Sequence, residues 1–278
     1  LPNVLLLSGT KGTGKFTLIN HLMYYIFDNS NYNEKLNIII KDSAFKKSFL
    51  NNVFSNILYF SGSDNKRNKV EDIRNLKSKI SRSAIDSRSR FIILDDVELF
   101  NLHSINALLK SIEEPTHNNF FILINNKKKP LIETIKSRAL EFKIMLKDKV
   151  RNNIINELIK FHKIDPVIEC VNSKTTPGNF LRFNNICEKN NIDINKNFLA
   201  NLDLLLNLYK KEKSTILIDF INFMANTYIG KLETKQKLGE KKNIEKRLFI
   251  LENINKFFVH NLNQKSLINT ISYKLQNE

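Results

Sequence analysis

Glycine and lysine are concentrated near the start of the chain, in a pattern that suits phosphate binding. Three of the chain's 7 glycines lie close together and are followed directly by a lysine. Glycine lets successive backbone N–H groups turn inward on an anion, and the N-terminus of a following helix adds its dipole. A lysine at this spacing can reach the outer phosphates of a nucleotide. Residues 9–17 therefore predict a phosphate-binding loop, with the candidate contacts Gly9, Gly12, Thr13, Gly14, Lys15, Phe16 and Thr17.

Phe16 occupies the position at which such a loop normally carries a Ser or Thr that binds Mg²⁺. A phenyl ring cannot coordinate a hard cation. The neighbouring Thr17 is rotated by about 100° around a helix, so it should point elsewhere. We therefore expect the phosphate contacts to survive and the metal site to be damaged. The residues leave open whether ATP or ADP still binds and whether Mg²⁺ accompanies it.

A second candidate site is the acidic pair in "FIILDD" (91–96), where four apolar residues precede Asp95 and Asp96. Asp95 is the candidate metal ligand, acting on Mg²⁺ through water. Asp96 stands where a Glu normally orients the attacking water. Because its side chain is one methylene shorter, we expect weak hydrolysis. The alternative, that the two acids simply end a buried strand, stays open and is stronger for Asp96.

These residues need a scaffold of alternating strands and helices. Short apolar runs predict strands at 3–9, 36–40, 57–61, 91–96, 120–125 and 141–144. Helical periodicity lies between them at 13–27, 69–80 and 101–115, and the last of these places Leu102, Ile105, Leu109 and Ile112 on one face. The alternation indicates an α/β fold with a parallel sheet and helices on both faces.

The pattern changes near Lys147, after which only helical periodicity is found. The predicted plan is an α/β domain over residues 1–146, a small helical domain over 147–192 and a C-terminal helical domain over 193–278. Because the chain begins at Leu1 and not Met, we expect that an N-terminal segment precedes it.

Composition excludes several classes of protein. The formal charge is +16, but a lysine- and asparagine-rich composition is also what an AT-rich genome encodes, so a solvated basic surface explains most of it. The two cysteines, Cys170 and Cys187, are far apart and predict neither a disulfide scaffold nor zinc. No apolar run approaches the ~20 residues that cross a bilayer, and no signal peptide is present, so we expect no membrane contact and a cytoplasmic location.

The order of the motifs resembles a known family. After the glycine loop come "ILDDVELFNLHSINALLKSIEEPTHNNFFILINN" and "PLIETIKSRA", which resemble the clamp-loader branch of the AAA+ ATPases and, within it, the delta-prime type of bacterial DNA polymerase III subunit. The resemblance covers most of residues 4–144 closely and the helical remainder in architecture only. It implies a P-loop AAA+ domain, a helical lid domain and a helical collar domain. It also implies a hetero-pentamer with gamma/tau and delta subunits that loads the sliding clamp on primed DNA.

The same resemblance implies roles for individual residues. Arg138, in Ser137-Arg138-Ala139, matches an arginine finger that acts in trans on a neighbour's ATP; a guanidinium suits this because it forks onto phosphate oxygens. Asn125 and Asn126 end a strand where the family places the polar group that senses the γ-phosphate, and the alternative that they only cap the strand end stays equally open. Asn179 replaces the family's lid arginine, and Arg182 lies one turn later. Without the resemblance, Arg138 would be interpreted as a surface cation.

Four functions compete. Phe16, Asp96 and Asn179 each weaken the hydrolysis machinery, so we expect this chain's own ATPase activity to be absent or weak, as in a delta-prime-type subunit. The alternatives are a gamma/tau-type subunit that hydrolyses its own ATP, and another AAA+ remodelling protein. Plain DNA binding through the basic clusters at 126–130 and 210–213 is a further alternative, although both clusters are typical of solvated loops.

Overall fold

A computed structural model describes residues 1–40, 43–51, 53–63, 76, 78, 80, 88–116, 118–168, 174–235 and 240–276. The chain divides into two compact units. The first comprises Leu1–Arg151 with Thr176–Gly178, and the second comprises Asn152–Thr175 with Asn179–Glu278. The finer division at residues 146/147 and 192/193 stays a prediction.

Five parallel strands form the sheet of the first unit, in the order β4-β5-β6-β1-β7, which confirms the α/β prediction. The strands are β1 (Val4–Ser8), β4 (Ile57–Ser61), β5 (Arg90–Asp95), β6 (Asn119–Asn125) and β7 (Leu140–Lys143). Runs of buried aliphatic residues are what a sheet covered on both faces requires. The register pairs Ser8 with Asn125 on one side and with Lys143 on the other, so the carboxyl ends of three strands meet beside the glycine loop.

The strand predicted at 36–40 is confirmed only in part, and it does not join this sheet. It contributes only β3 (Ile38–Ile39), which pairs antiparallel with β2 (Tyr32–Asn33) in a separate hairpin. Ile38 and Ile40 are both at least half exposed. A strand in the middle of a parallel sheet would bury both faces, which these side chains do not do.

Helices cover both faces of the sheet, with one apolar cluster on each side. In the first unit they are α1 (Lys15–Phe27), α2 (Ala44–Leu50), α3 (Leu102–Glu113) and α4 (Glu133–Lys136). The Asn101 side chain caps α3 by accepting from the Ser104 N–H at 2.7 Å. The helix predicted at 69–80 lies almost entirely outside the described residues, although Leu76 and Ile80 are helical and buried.

The buried face of α3 differs from the prediction. Ile105, Leu108 and Ile112 are fully buried, whereas Leu102 is exposed. Leu102 is the first residue of the helix and does not pack in the core, although the sequence placed it on the apolar face.

After Lys143 the described residues contain helices and no strand. The helices are α5 (Asp148–His162), α6 (Pro177–Asn190), α7 (Phe198–Glu212), α8 (Thr215–Lys235), α9 (Glu240–His260) and α10 (Gln264–Gln276). One apolar cluster, running from Ile155 to Ile271, forms the core of the second unit. Among the described residues, no helix is long and apolar enough to cross a membrane.

Candidate functional site

The glycine loop joins β1 to α1 and has the backbone that its sequence predicts. Gly12 and Gly14 have positive φ angles of 86° and 92°, which side-chain-bearing residues adopt only with strain. Gly9 lies against the carbonyl oxygen of Ile144, and a Cβ atom there would collide with it. The three glycines are therefore required by conformation and close packing.

Lys15 is buried, and its ammonium group is turned toward the loop itself. Its Nζ donates to the carbonyl oxygens of Gly9 at 2.7 Å and Thr10 at 2.8 Å. Burial lowers the pKa of Lys15 to about 8, a shift that the nearby carboxylates of Asp95, Glu98 and Asp96 only partly oppose. A phosphate group would have to compete with these two carbonyls for the lysine.

The outer part of the loop is held by residues 176–178, which belong to the same compact unit. The Thr176 hydroxyl donates to the Lys11 carbonyl at 2.7 Å, and the Gly178 N–H donates to the Gly12 carbonyl at 2.8 Å. A Cβ atom on Gly178 would lie 2.9 Å from the Gly12 Cα. Glycine at position 178 thus allows the segment to sit directly on the loop.

Phe16 packs in an aromatic group beside the loop. Its ring lies 5.7 Å from that of Tyr59 in an edge-on contact and 6.4 Å from that of Phe49 in a stacked one. The Tyr59 hydroxyl donates to Asp95 Oδ2 at 3.0 Å. The residue that replaces the metal-binding hydroxyl therefore packs against the residue that binds the candidate metal ligand. Tyr59 and Phe49 were not predicted as site residues; Thr17 was, and it is exposed.

Asp95 and Asp96 are both engaged by a single asparagine. The Asn126 Nδ2 donates to Asp95 Oδ1 at 3.1 Å and to Asp96 Oδ1 at 2.8 Å. Asp96 has a φ of 49°, is buried, and lies 3.8 Å from the Lys128 Nζ.

The two acids of this pair have opposite pKa shifts. Burial raises the pKa of Asp95, and the charge of Asp96 adds to that effect. Burial alone would raise the pKa of Asp96, but the charge of Lys128 and hydrogen bonds from Asn126 and Ser63 outweigh it and lower the pKa. The surroundings therefore favour the charged form of Asp96 more than that of Asp95.

The two asparagines at the end of β6 have different partners. Asn125 turns toward β1, where its Nδ2 donates to Ser8 Oγ at 3.3 Å, and its Oδ1 accepts from the Lys127 N–H at 2.9 Å. Asn126 contacts the acids. The sequence placed Asn125 and Asn126 at the strand end but did not predict which of them contacts the acids. Successive residues point to opposite faces only while the strand continues, so the direction of each side chain beyond the strand end could not be predicted.

Glu98 is a structural member of the site that sequence reasoning missed. It is buried in a 3₁₀ turn directly after Asp96 and accepts hydrogen bonds from the N–H groups of Asn126 and Lys128 at 3.1 and 3.2 Å. Burial raises its pKa, and these hydrogen bonds oppose the shift. Glu98 therefore fixes the loop that presents Asn126 to the two aspartates. The sequence signal that could have identified Glu98 is its position three residues after the end of β5.

The residues at this site do not fit Mg²⁺. The hydroxyl ligand is absent at Phe16, and Asp95, whose pKa is raised, already accepts from Tyr59 and Asn126. A hard cation requires oxygen ligands that are free to face it. The loop itself fits an anion better, because its glycine backbone and Lys15 are present.

Arg138 lies between α4 and β7 and belongs to a separate set of contacts. Its guanidinium forms an ion pair with Glu113 through Nη2 and a hydrogen bond through Nε, both to Oε1. Its Nη1 donates to the Thr134 carbonyl at 2.8 Å and to Ser137 Oγ at 3.1 Å. The side chain is 32% exposed. Asn179 and Arg182, the positions compared with a lid arginine, belong to the second unit.

Comparisons with known proteins identify the family of the first unit. The family model described as "DNA polymerase III, delta subunit" matches residues 1–148. The DNA polymerase III subunit gamma of Buchnera aphidicola subsp. Acyrthosiphon pisum is 31% identical over 141 residues, which is 51% of this chain and 38% of the relative. The DNA polymerase III subunit delta' of Buchnera aphidicola subsp. Baizongia pistaciae is 34% identical over 71 residues, 26% of this chain and 21% of the relative. The alignments thus span well under half of these relatives.

One solved structure shows the same fold over nearly the whole chain. A DNA polymerase III gamma subunit-related protein from Thermotoga maritima superposes with a TM-score of 0.53, covering 98% of this chain and 94% of that one. The sequence identity is 16%, so the similarity is one of fold.

Proposed function

The chain belongs to the DNA polymerase III delta-subunit family of clamp-loader proteins, which are DNA replication factors, and we propose that it is a delta-prime-type subunit. In this role it does not turn over ATP itself. It supplies Arg138 to the ATP site of a neighbouring subunit, in a hetero-pentamer with gamma/tau and delta subunits. The complex would place the sliding clamp on primed DNA, and residues 193–278 would form the oligomerisation collar.

The observation that carries this proposal is the contact chain from Phe16 through Tyr59 to Asp95. An active hydrolase needs a metal ligand at position 16 and an acid free to act on the metal's water. Here the first is an aromatic ring and the second already accepts a hydrogen bond from a tyrosine. Lys15, in turn, donates to the loop's own carbonyls. The pocket residues thus engage one another.

Arg138 is suited to work outside the pocket. It follows α4, whose Ile135 is buried in the core, so the backbone is fixed while the guanidinium is partly exposed. A permanently charged planar group can stabilise the charge that develops on a transferring phosphoryl group, and fingers supplied in trans are typically worth ~10³ or more in rate. The neighbouring subunit would then supply the phosphate-binding loop and the attacking water.

A gamma/tau-type subunit with its own ATPase activity is the second candidate. The similarity to a gamma subunit over 141 residues, longer than the matched stretch of the delta' relative, favours it. The two candidates differ in one measurement, the ATPase rate of the purified chain alone. We expect no turnover above background with saturating Mg²⁺ and ATP, whereas a rate near the typical enzyme value of ~10 s⁻¹ would establish the gamma/tau role.

The role of Arg138 is tested in the complex reconstituted with the gamma/tau and delta subunits of the same organism. Arg138→Ala should leave assembly intact and reduce ATP turnover by the share that comes from the site it completes. Arg138→Lys should not restore that share, because an ammonium cannot fork onto two oxygens. Lys136→Ala is the matched control. Lys136 lies two residues before Arg138 and also forms an exposed ion pair, with Glu133. An unchanged rate with Arg138→Ala would remove the finger from the proposal.

A further inference from the structure

All three nitrogens of the Arg138 guanidinium have partners within this chain. Nε and Nη2 both donate to Glu113 Oε1, and Nη1 donates to Thr134 and Ser137. A guanidinium binds phosphate through two parallel N–H groups, taken either from Nε and Nη2 or from Nη1 and Nη2. Glu113 occupies the fork formed by Nε and Nη2, while Thr134 and Ser137 occupy Nη1 of the other fork, so the Nε/Nη2 fork becomes available to a phosphate only when the ion pair opens.

The two partners are carried on elements that the core fixes. Glu113 is the last residue of α3 and follows Ile112, while Arg138 comes three residues after Ile135. Both isoleucines are buried in the same apolar cluster. The ion pair therefore does not depend on a loose loop, and its geometry is set by packing beneath it.

The ion pair is also exposed enough to open. The Arg138 and Glu113 side chains are 32% and 41% exposed. Exposed pairs of this kind change an open-to-closed ratio by about 1.5-fold to 5-fold, which water and a stronger anion can overcome. A polyphosphate carries more negative charge than one carboxylate and offers several acceptor oxygens, so it can displace Glu113 from the same donors.

From these contacts we propose that Glu113 is a latch for the finger: it holds Arg138 until the phosphates of a neighbour's nucleotide displace its carboxylate. This inference rests on the proposed trans role of Arg138 and adds a regulatory residue to it. Glu113 touches neither nucleotide nor reacting atoms, so it acts only through Arg138. The fraction of Arg138 that is free scales the apparent affinity of the neighbouring site for ATP.

The latch itself can be tested in the isolated chain. In ¹H–¹⁵N NMR spectra the Arg138 Nε–H should exchange with solvent more slowly than those of other partly exposed arginines. Glu113→Gln should accelerate that exchange, because a neutral amide is a weaker acceptor than a carboxylate. Glu114→Gln removes the same charge one residue away and should leave the exchange rate unchanged. If exchange is equally fast in the wild type and in Glu113→Gln, the latch does not exist in solution.

Its consequence is tested in the reconstituted complex without clamp or DNA. Glu113→Gln should raise kcat/KM for ATP by about 2-fold to 5-fold, mainly through a lower KM, because saturating ATP opens the latch anyway. Glu114→Gln should have no effect, and Glu113→Gln added to Arg138→Ala should equal Arg138→Ala alone. A lower kcat/KM in Glu113→Gln, or an equal change in the Arg138→Ala background, would overturn the latch. If Arg138→Ala itself leaves turnover unchanged, the trans role fails instead.

Discussion

The phosphate-loop pocket and the Arg138 edge treat their charged groups in opposite ways. In the pocket, Lys15, Asp96 and Glu98 are buried and each has a partner from the same chain. At the edge, Arg138 has a single carboxylate partner and remains partly exposed. Buried polar networks are costly to break, whereas exposed ion pairs exchange readily. Under the proposed function, the pocket contributes structure and the edge contributes function.

The most severe way to break the pocket is to remove Glu98. Glu98→Ala leaves the N–H groups of Asn126 and Lys128 without their acceptor in a partly buried place, which should cost roughly 2–4 kcal/mol of unfolding free energy. Urea denaturation of the isolated chain measures this. Glu133→Ala, which changes an exposed side chain, should produce no measurable change. A similar loss for both variants would show that the pocket network is not specially stabilising.

The pH dependence of stability reports on Lys15. Since the pKa of Lys15 is lowered to about 8, the folded chain binds fewer protons than the unfolded chain between pH 8 and pH 10.5. Stability relative to Lys15→Met should therefore be largest above pH 10.5 and decline as pH falls to 8, by at most about 3 kcal/mol.

Parallel urea titrations of the wild type and Lys15→Met, compared at each pH, cancel the contribution of all other lysines. A difference that is flat across this range would mean that Lys15 is not desolvated by the loop. ATP added across the same pH range sharpens the test. A bound phosphate should raise the pKa of Lys15, so the decline in stability should end at a higher pH.

The aromatic contact at position 16 predicts which substitutions restore a metal site. Phe16→Ser alone should not make ATP binding depend on Mg²⁺, because Asp95 still accepts from Tyr59. Phe16→Ser with Tyr59→Phe frees that oxygen, and ATP affinity with Mg²⁺ should exceed affinity with EDTA by about tenfold. Isothermal titration calorimetry of the two variants distinguishes these outcomes. Mg²⁺ dependence in Phe16→Ser alone would exclude Tyr59 as the obstacle.

The smallest expected effect is on stability at the edge. Arg138→Ala removes one partly exposed ion pair, so its unfolding free energy should fall by less than about 1 kcal/mol. Thermal unfolding of the isolated variant checks this. A loss comparable to that of Glu98→Ala would make Arg138 a structural residue and erase the contrast between the two regions.

The sequence predicted the central strands β1, β5 and β6 well because they are deeply buried. Continuous apolar runs such as 91–94 and 120–124 identify strands covered on both faces, and the glycine spacing placed the loop. The run at 36–40 was expected in the sheet because apolar composition alone does not report depth. Its isoleucines lie on a half-exposed hairpin.

The site was predicted less completely than the fold. Tyr59 meets Asp95 across neighbouring strands, and Glu98 meets Asn126 across the end of the sheet; both contacts depend on strand order, which spacing along the chain does not give. Arg138 could be chosen from its motif. Its partner Glu113 could not, because the two residues are brought together only when α3 and α4 pack on one core.

The contrast between the two regions is tested most directly by one assay in the reconstituted complex, stimulated by clamp and primed DNA. Steady-state ATP turnover is measured with Lys15→Ala and with Arg138→Ala in this subunit, both shown to assemble. The account predicts that Lys15→Ala retains the wild-type rate, while Arg138→Ala loses the turnover of one neighbouring site. A lower rate with Lys15→Ala and a wild-type rate with Arg138→Ala would contradict it, because the pocket would then be the working site and the edge would be inert.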